Sequence, residues 1–277
     1  MSTPRSGSTF LYEILEQAPG LFTTGQESHY LIEDIPGLAP PQRGWTSNRL
    51  TADDVTPERS DLICSEFYRQ ARDRDGVSPS GPVRILEKTP KNALRVPFFD
   101  AIWPDALFVY LYRDVRETLA SMMEAWASGA FRTYPNLPGW AGYPWSLLLV
   151  PDWRRLIGRP LPEIVAQQWA TTTEILIRDL EAISPDRLRT LTYDELRRSP
   201  QPVVTGLASS LDIAWDRQLG PDLPFSKTTV SRPRPDKWRR LEAAIDAIYP
   251  IVSTAESLAR DFLASRGPGA EPAARHP

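Results

Sequence analysis

A single cysteine, Cys64, in a chain of 277 residues has nothing to pair with, so an intrachain disulfide and any multi-cysteine metal site are excluded. A lone thiol fits a reducing compartment, and its plainest role is that of a small apolar core residue. Histidine is nearly as scarce, with only His29 and His276. No apolar run approaches the roughly 18 residues of a membrane span, and no charged-then-apolar leader opens the chain. The chain therefore reads as cytoplasmic, without a membrane partner. An excess of one charge is lacking too: 32 basic and 35 acidic residues nearly cancel, with no block of either, so nucleic acid is not indicated as a partner. Any anion-binding site has to be local.

What is abundant is proline, with 28 residues against a usual share of roughly 5%. The prolines cluster at 36–41, 79–82, 135–151 and 221–235, which read as loops framing the ordered elements. Between them, Phe10, Leu11, Ile14 and Leu15 recur at helical spacing up to Pro19-Gly20, so a helix follows the turn Arg5-Ser6-Gly7-Ser8-Thr9. Runs at 83–86, 106–112 and 188–193 read as buried strands. Asp114, with Glu117 three residues on, caps a helix whose apolar stripe is Leu119, Met122, Met123 and Trp126. Longer helices are expected at 164–183 and 237–263. The length suits one domain over 1–265, with a disordered tail at 266–277. Strands alternating with helices indicate an α/β fold, a three-layer sandwich whose central parallel sheet has helices on both faces and ligands at the strand carboxyl ends.

The turn at 4–9 can aim backbone N–H groups, the hydroxyls of Ser6, Ser8 and Thr9 and the Arg5 guanidinium at one anion, with Gly7 supplying the bend and the helix dipole adding attraction. It is not a nucleoside-triphosphatase P-loop, because no lysine follows the glycine at the required spacing. Alone such a turn is as easily an ordinary capped turn. A second element strengthens it: Arg113 closes a strand, and Ser121 sits eight residues later, about two helical turns on, where both can reach one anion.

These two motifs, in this order, resemble the 5′-phosphosulfate loop and the 3′-phosphate element of sulfotransferases that use 3′-phosphoadenosine 5′-phosphosulfate (PAPS). The similarity is greatest to the tyrosylprotein sulfotransferases and their bacterial relatives, which carry arginine in the first loop. The resemblance implies a P-loop-like fold, PAPS as sulfuryl donor, no metal, and a hydroxylated acceptor. It implies further roles residue by residue. Gly25-Gln26-Glu27-Ser28-His29 places Glu27 as general base, with His29 as rival. Glu87-Lys88-Thr89-Pro90 puts Lys88 at the transferring group, Tyr193 contacts the nucleotide, Ser231 donates from the loop before the last helix, and Lys237-Trp238 covers the cofactor. Members of the family have a full strand ahead of the first loop, whereas here Met1, Ser2 and Thr3 precede Pro4. The strand is expected to be vestigial or to lie upstream, leaving sheet edges open.

Two other readings share parts of this pattern. A kinase-type phosphotransferase would use the same first turn but needs a lysine after the glycine and an aspartate for magnesium. A nucleotide-binding module could keep the cradle without chemistry. The acceptor's class is open, and the aromatic residues of 126–160, rich in Pro and Gly, are expected either to form a lid over it or to pack the insert itself.

Overall fold

The computed structural model describes residues 1–220, 226 and 236–266. In chain order it contains α1 (Ser8–Leu15), β1 (Leu21–Phe22), α2 (His29–Glu33), α3 (Pro57–Gln70), β2 (Arg84–Ile85), α4 (Val96–Ile102), β3 (Phe108–Tyr112) and α5 (Val115–Ser128). There follow β4 (Arg132–Tyr134), β5 (Trp145–Ser146), α6 (Leu161–Glu181), β6 (Leu188–Thr192), α7 (Tyr193–Arg198), α8 (Pro200–Ser210) and α9 (Glu242–Arg266). The last helix runs one residue into the stretch expected as tail, and the rest of that stretch lies outside the described residues, as does His276.

β3 and β6 pair in parallel, from Phe108 opposite Leu188 to Tyr112 opposite Thr192. Side chains alternate across a strand, and β3 uses both faces. Phe108, Tyr110 and Tyr112 join a core with Phe98, Ile177 and Phe262, from α4, α6 and α9. Leu111 points the other way, into a core with Leu11, Leu15, Leu191 and Val204, from α1, β6 and α8. Helices thus cover both faces, which is the expected layered α/β arrangement.

The parallel sheet is divided. β1 and β2 form one parallel pair, and among the described residues no ladder joins it to β3. Between β2 and β3 lies a cleft of about 560 Å³ lined largely by apolar side chains, among them Leu11, Leu21, Ile85, Phe99, Phe108 and Val109. Met1 sits at its end as a single parallel rung: its amine donates to Val109 O, and Leu111 N–H donates to Met1 O at 2.9 Å. The strand ahead of the first turn is therefore present here only as that rung.

The insert between α5 and α6 is a packing unit. Trp126, Trp145 and Trp153 are at most 1% exposed, their rings meeting edge to face together with Trp140. Each buried indole N–H has an acceptor: Gln168 Oε1 at 3.1 Å, Leu148 O at 3.0 Å and Trp45 O at 2.7 Å. Buried indoles commonly find one, although Trp169 Nε1 on α6 is buried without a partner. Trp126, Trp145 and Trp153 thus pack the insert itself, while Trp140 is partly buried, Tyr143 is exposed and Phe131 lies over Arg5.

Candidate active site

The first turn is built from alternating backbone hands. Arg5 has φ 65° and Gly7 φ 93°, with Ser6 between them, a geometry that turns successive N–H groups toward one concavity. The left-handed region costs a residue with a side chain about 1–2 kcal/mol, and such strain concentrates at functional sites. Gly7 is required for a second reason: a Cβ there would stand 2.4 Å from Tyr193 Cδ2. Gly7 also occupies the N-cap of α1 without a side-chain cap, so the first-turn N–H groups are not taken by a capping side chain. The Ser6 hydroxyl is turned inward, sharing a 2.6 Å hydrogen bond with Thr3.

The second element folds onto this turn. Asp114 caps α5 as expected, accepting from Glu117 N–H at 3.1 Å. The reciprocal half of the capping box is absent, because the Glu117 carboxylate accepts from Arg113 Nε and Nη2 at 3.0 and 2.9 Å. Arg113 Nη1 reaches across to donate to Arg5 O at 3.1 Å, and its guanidinium lies 4.7 Å from the centre of the Tyr193 ring. Arg5 Nε in turn donates to Ser121 Oγ at 3.3 Å. Burial, and then the nearby Arg113 charge, pull the Arg5 guanidinium below its usual pKa. Two half-buried cations facing one turn are an arrangement an anion relieves.

Tyr193 owes its place to a capping box. Thr192 Oγ1 accepts from Glu195 N–H at 3.2 Å while Glu195 Oε2 accepts from Thr192 N–H at 2.9 Å. β6 therefore stops at Thr192, and Tyr193 becomes the first residue of α7, where 188–193 was expected as strand. Lys237 and Trp238 open a 3-10 turn, Lys237–Leu241, ahead of α9 that packs against α5, the lysine paired with Glu124 and the indole under the Arg116 guanidinium at 5.1 Å. Ser231 lies outside the described residues.

The third group closes the site. Lys88 Nζ donates to Glu27 Oε1 at 2.9 Å and to Thr9 Oγ1 at 3.1 Å, joining the two downstream motifs to the start of α1. His29 is close, its Nδ1 3.7 Å from Glu27 Oε2, but that nitrogen is buried without a hydrogen-bond partner. Burial, then the Lys91 charge, lower the His29 pKa.

Behind α2 stands a charged cluster that sequence reading missed. Glu33 accepts from Lys91 Nζ at 2.9 Å and from the fully buried Arg95 at 2.6 Å. Burial alone would raise the Glu33 carboxyl, but Arg95 and Lys91 outweigh it and hold the pKa low. Asn48 adds a hydrogen bond to Glu33 and another to Tyr134, tying the insert to the site. The only local signal was the density of polar residues after Pro90, which does not distinguish a solvated face from a buried network.

A turn that gathers backbone N–H groups at a helix start, arginines from that turn and from the end of β3, and a lysine paired with a carboxylate together make a site suited to an anionic group. The profile of the sulfotransferase family matches residues 1–217, most of the chain, and the chain belongs to that family. A Caenorhabditis briggsae protein named as a protein-tyrosine sulfotransferase by inference is 28% identical over 122 residues, 44% of this chain. The matched stretch spans about 40% of that relative's length. Among solved structures, the sulfotransferase domain from the curacin biosynthetic pathway superposes with a TM-score of 0.50 at 18% identity, over 94% of this chain and 95% of that one. The sulfotransferase domain of the Synechococcus PCC 7002 olefin synthase gives 0.51 at 21% identity, over 93% and 92%. At these identities the likeness is one of fold, the P-loop-like α/β sandwich.

Proposed function

We propose that the protein transfers the sulfuryl group of PAPS to a hydroxyl acceptor, with Glu27 as general base and without a required metal. The observation that carries this is the convergence of Glu27, Lys88 and Thr9 in one hydrogen-bonded group beside the uncapped start of α1. The donor set fits the nucleotide's two anionic ends. Arg5, the turn N–H groups, Thr9 and Lys88 suit the phosphosulfate, while Arg113 and Ser121 suit the 3′-phosphate; Tyr193 and Trp238 offer aromatic faces nearby. When bound, PAPS supplies an activated sulfuryl group whose departure leaves charge on the nucleotide phosphate.

The protein's part is then electrostatic and positional. Arg5 and Lys88 stabilise charge that grows on the bridging oxygen, in a half-buried setting where fixed cations act more strongly than in water. Glu27 takes the acceptor's proton, and its hydrogen bond from Lys88 at 2.9 Å fixes where the carboxylate stands. His29 is the weaker base: burial keeps it neutral, yet its Nδ1 has no partner to fix the ring orientation. The same reading assigns one domain to 1–265, with Ser231 as a further donor and Lys237 and Trp238 closing over the nucleotide. Incubation with 35S-labelled PAPS and a panel of phenols, alcohols, sugars and tyrosyl peptides tests it. Label moving from donor to an acceptor hydroxyl supports the reading, and none moving to any acceptor or to water contradicts it.

A further inference from the structure

The two segments that meet at the reacting group are joined beside their functional residues, through Ser28 next to Glu27 on one and through both neighbours of Lys88 on the other. Ser28 lies between Glu27 and His29, and Lys88 between Glu87 and Thr89. Ser28 N–H donates to Thr89 Oγ1 at 2.7 Å, and Ser28 Oγ donates to Glu87 Oε1 at 2.6 Å. Asn92 Nδ2 approaches the same hydroxyl at 3.4 Å. Ser28 is completely buried and Thr89 nearly so. In extended chain, alternate side chains point to opposite sides. Holding Glu87 and Thr89 on the Ser28 side therefore sends Lys88 the other way, where its ammonium meets Glu27 and Thr9.

We propose that Ser28, Glu87 and Thr89 form a buried clip that sets the register between Glu27 and Lys88, and that Ser28 is a positioning residue for sulfuryl transfer. The proposal rests on the reading of Glu27 as base and Lys88 as the cation at the transferring group. Its physical basis is the strength and directionality of the contacts. A hydroxyl on a carboxylate at 2.6 Å is a charge-assisted bond, and a second bond from the same residue's backbone removes the freedom to pivot about the first. Neither Ser28 nor Thr89 has an exposed surface to recommend any other role. The β1 and β2 ladder joins the two segments only as far as Leu86 N–H on Phe22 O at 2.8 Å, and the clip carries that join on to the level of Glu27 and Lys88.

Displacing a reacting group by about 1 Å can cost roughly 100-fold in rate. Ser28→Ala is therefore expected to lower kcat by about 10- to 100-fold while leaving the acceptor KM and the affinity for 3′-phosphoadenosine 5′-phosphate (PAP) within about twofold. Ser28→Thr keeps the hydroxyl and should restore most of the rate. Turnover is read with labelled PAPS, using 4-nitrophenol, a primary alcohol and water as acceptors. The deficit should be larger for the alcohol, which depends more on a placed base than a phenol partly ionised near neutral pH. A crystal structure of Ser28→Ala should show the Lys88 to Glu27 contact opened well beyond hydrogen-bond range. If Ser28→Ala does not fold, Thr89→Val against Thr89→Ser asks the same question from the other segment.

Wild-type kcat in Ser28→Ala, or an unchanged contact between Lys88 and Glu27 in its crystal structure, would overturn the clip. So would a rate loss matched by equal losses in PAP affinity and melting temperature. Glu27→Gln in the same assay separates the two claims. Full activity there removes the base assignment, whereas a disabled Glu27→Gln beside a normal Ser28→Ala removes only the clip.

Discussion

Replacing Gly7 by alanine changes one methyl group at the point where three parts of the site touch. The backbone at φ 93° is one a side chain rarely adopts, which costs about 1–2 kcal/mol. The new Cβ would also lie 2.4 and 2.6 Å from two carbons of the Tyr193 ring, and 3.3 Å from Cγ, close to the anchored end of that side chain. The ring has to retreat by about 1 Å to reach ordinary contact distance, and the Arg113 guanidinium packed on it at 4.7 Å goes with it. Overpacking of this kind adds about 1–3 kcal/mol. Gly7→Ala should lower the melting temperature by several degrees and weaken PAP binding at least tenfold, read by thermal unfolding and calorimetry. In a Tyr193→Ala background the ring is gone, so Gly7→Ala should cost only its backbone strain. A double-mutant cycle that is additive within about 0.3–0.5 kcal/mol would show that the ring and the turn do not press on each other, and would refute the reasoning.

Three further outcomes are expected. Arg113→Ala removes a charged donor, so PAP affinity should fall about 10- to 100-fold. Adenosine 5′-phosphosulfate, which lacks the 3′-phosphate, should lose only the few-fold attributable to the bond with Arg5 O; calorimetry showing equal losses would take Arg113 out of that role. Glu27→Gln should lower kcat by about 100-fold or more with PAP affinity unchanged, and His29→Gln should keep most activity; the reverse pattern would make the imidazole the base. Burial pushes the Met1 amine down to about 6 from its ordinary value near 8. A base with a folded pKa below its unfolded one stabilises above the unfolded pKa and loses that contribution as pH falls through the folded value. Unfolding between pH 8 and 6.5 should show the loss, measured in a His29→Gln background because His29, also lowered on folding, adds a loss of the same sign in this range. An extended apolar strand joined to Met1 replaces the amine with a peptide bond and fills the cleft, so it should raise the melting temperature and flatten this pH dependence. An unchanged pH profile would contradict the assignment.

The parts of the site carried by local pattern were legible. The first turn could be read because its glycine, hydroxyls and arginine do their work within six residues, and the structure gives it the left-handed backbone such a turn needs. The end of β3 with the Asp114 cap was legible for the same reason, since a cap is decided over three residues. Tyr193 was placed at the right strand end but on the wrong side of the boundary, because the Thr192 and Glu195 capping box overrides the strand pattern leading into it. The convergence of Glu27 and Lys88 came from resemblance, and no spacing in the chain encodes it. The buried pair of Glu33 and Arg95 was illegible, since a charged residue enters a core only when its partner, from another segment, enters with it. The division of the sheet could be anticipated only as an open edge. The tryptophans of the insert look alike in sequence whether they face a ligand or one another.

Whether Glu27, Lys88 and the Arg5 turn form one sulfuryl-transfer site is decided by single-turnover transfer from 35S-labelled PAPS to the best acceptor of a broad panel. It should be run for the wild type, Lys88→Ala and Arg5→Ala, with PAP affinity measured alongside and EDTA present throughout. Rapid, metal-independent transfer is expected in the wild type, with a loss of about 100-fold or more in each variant beyond any change in nucleotide affinity. Transfer that requires added magnesium, or that proceeds at the wild-type rate without the lysine and the arginine, would contradict it.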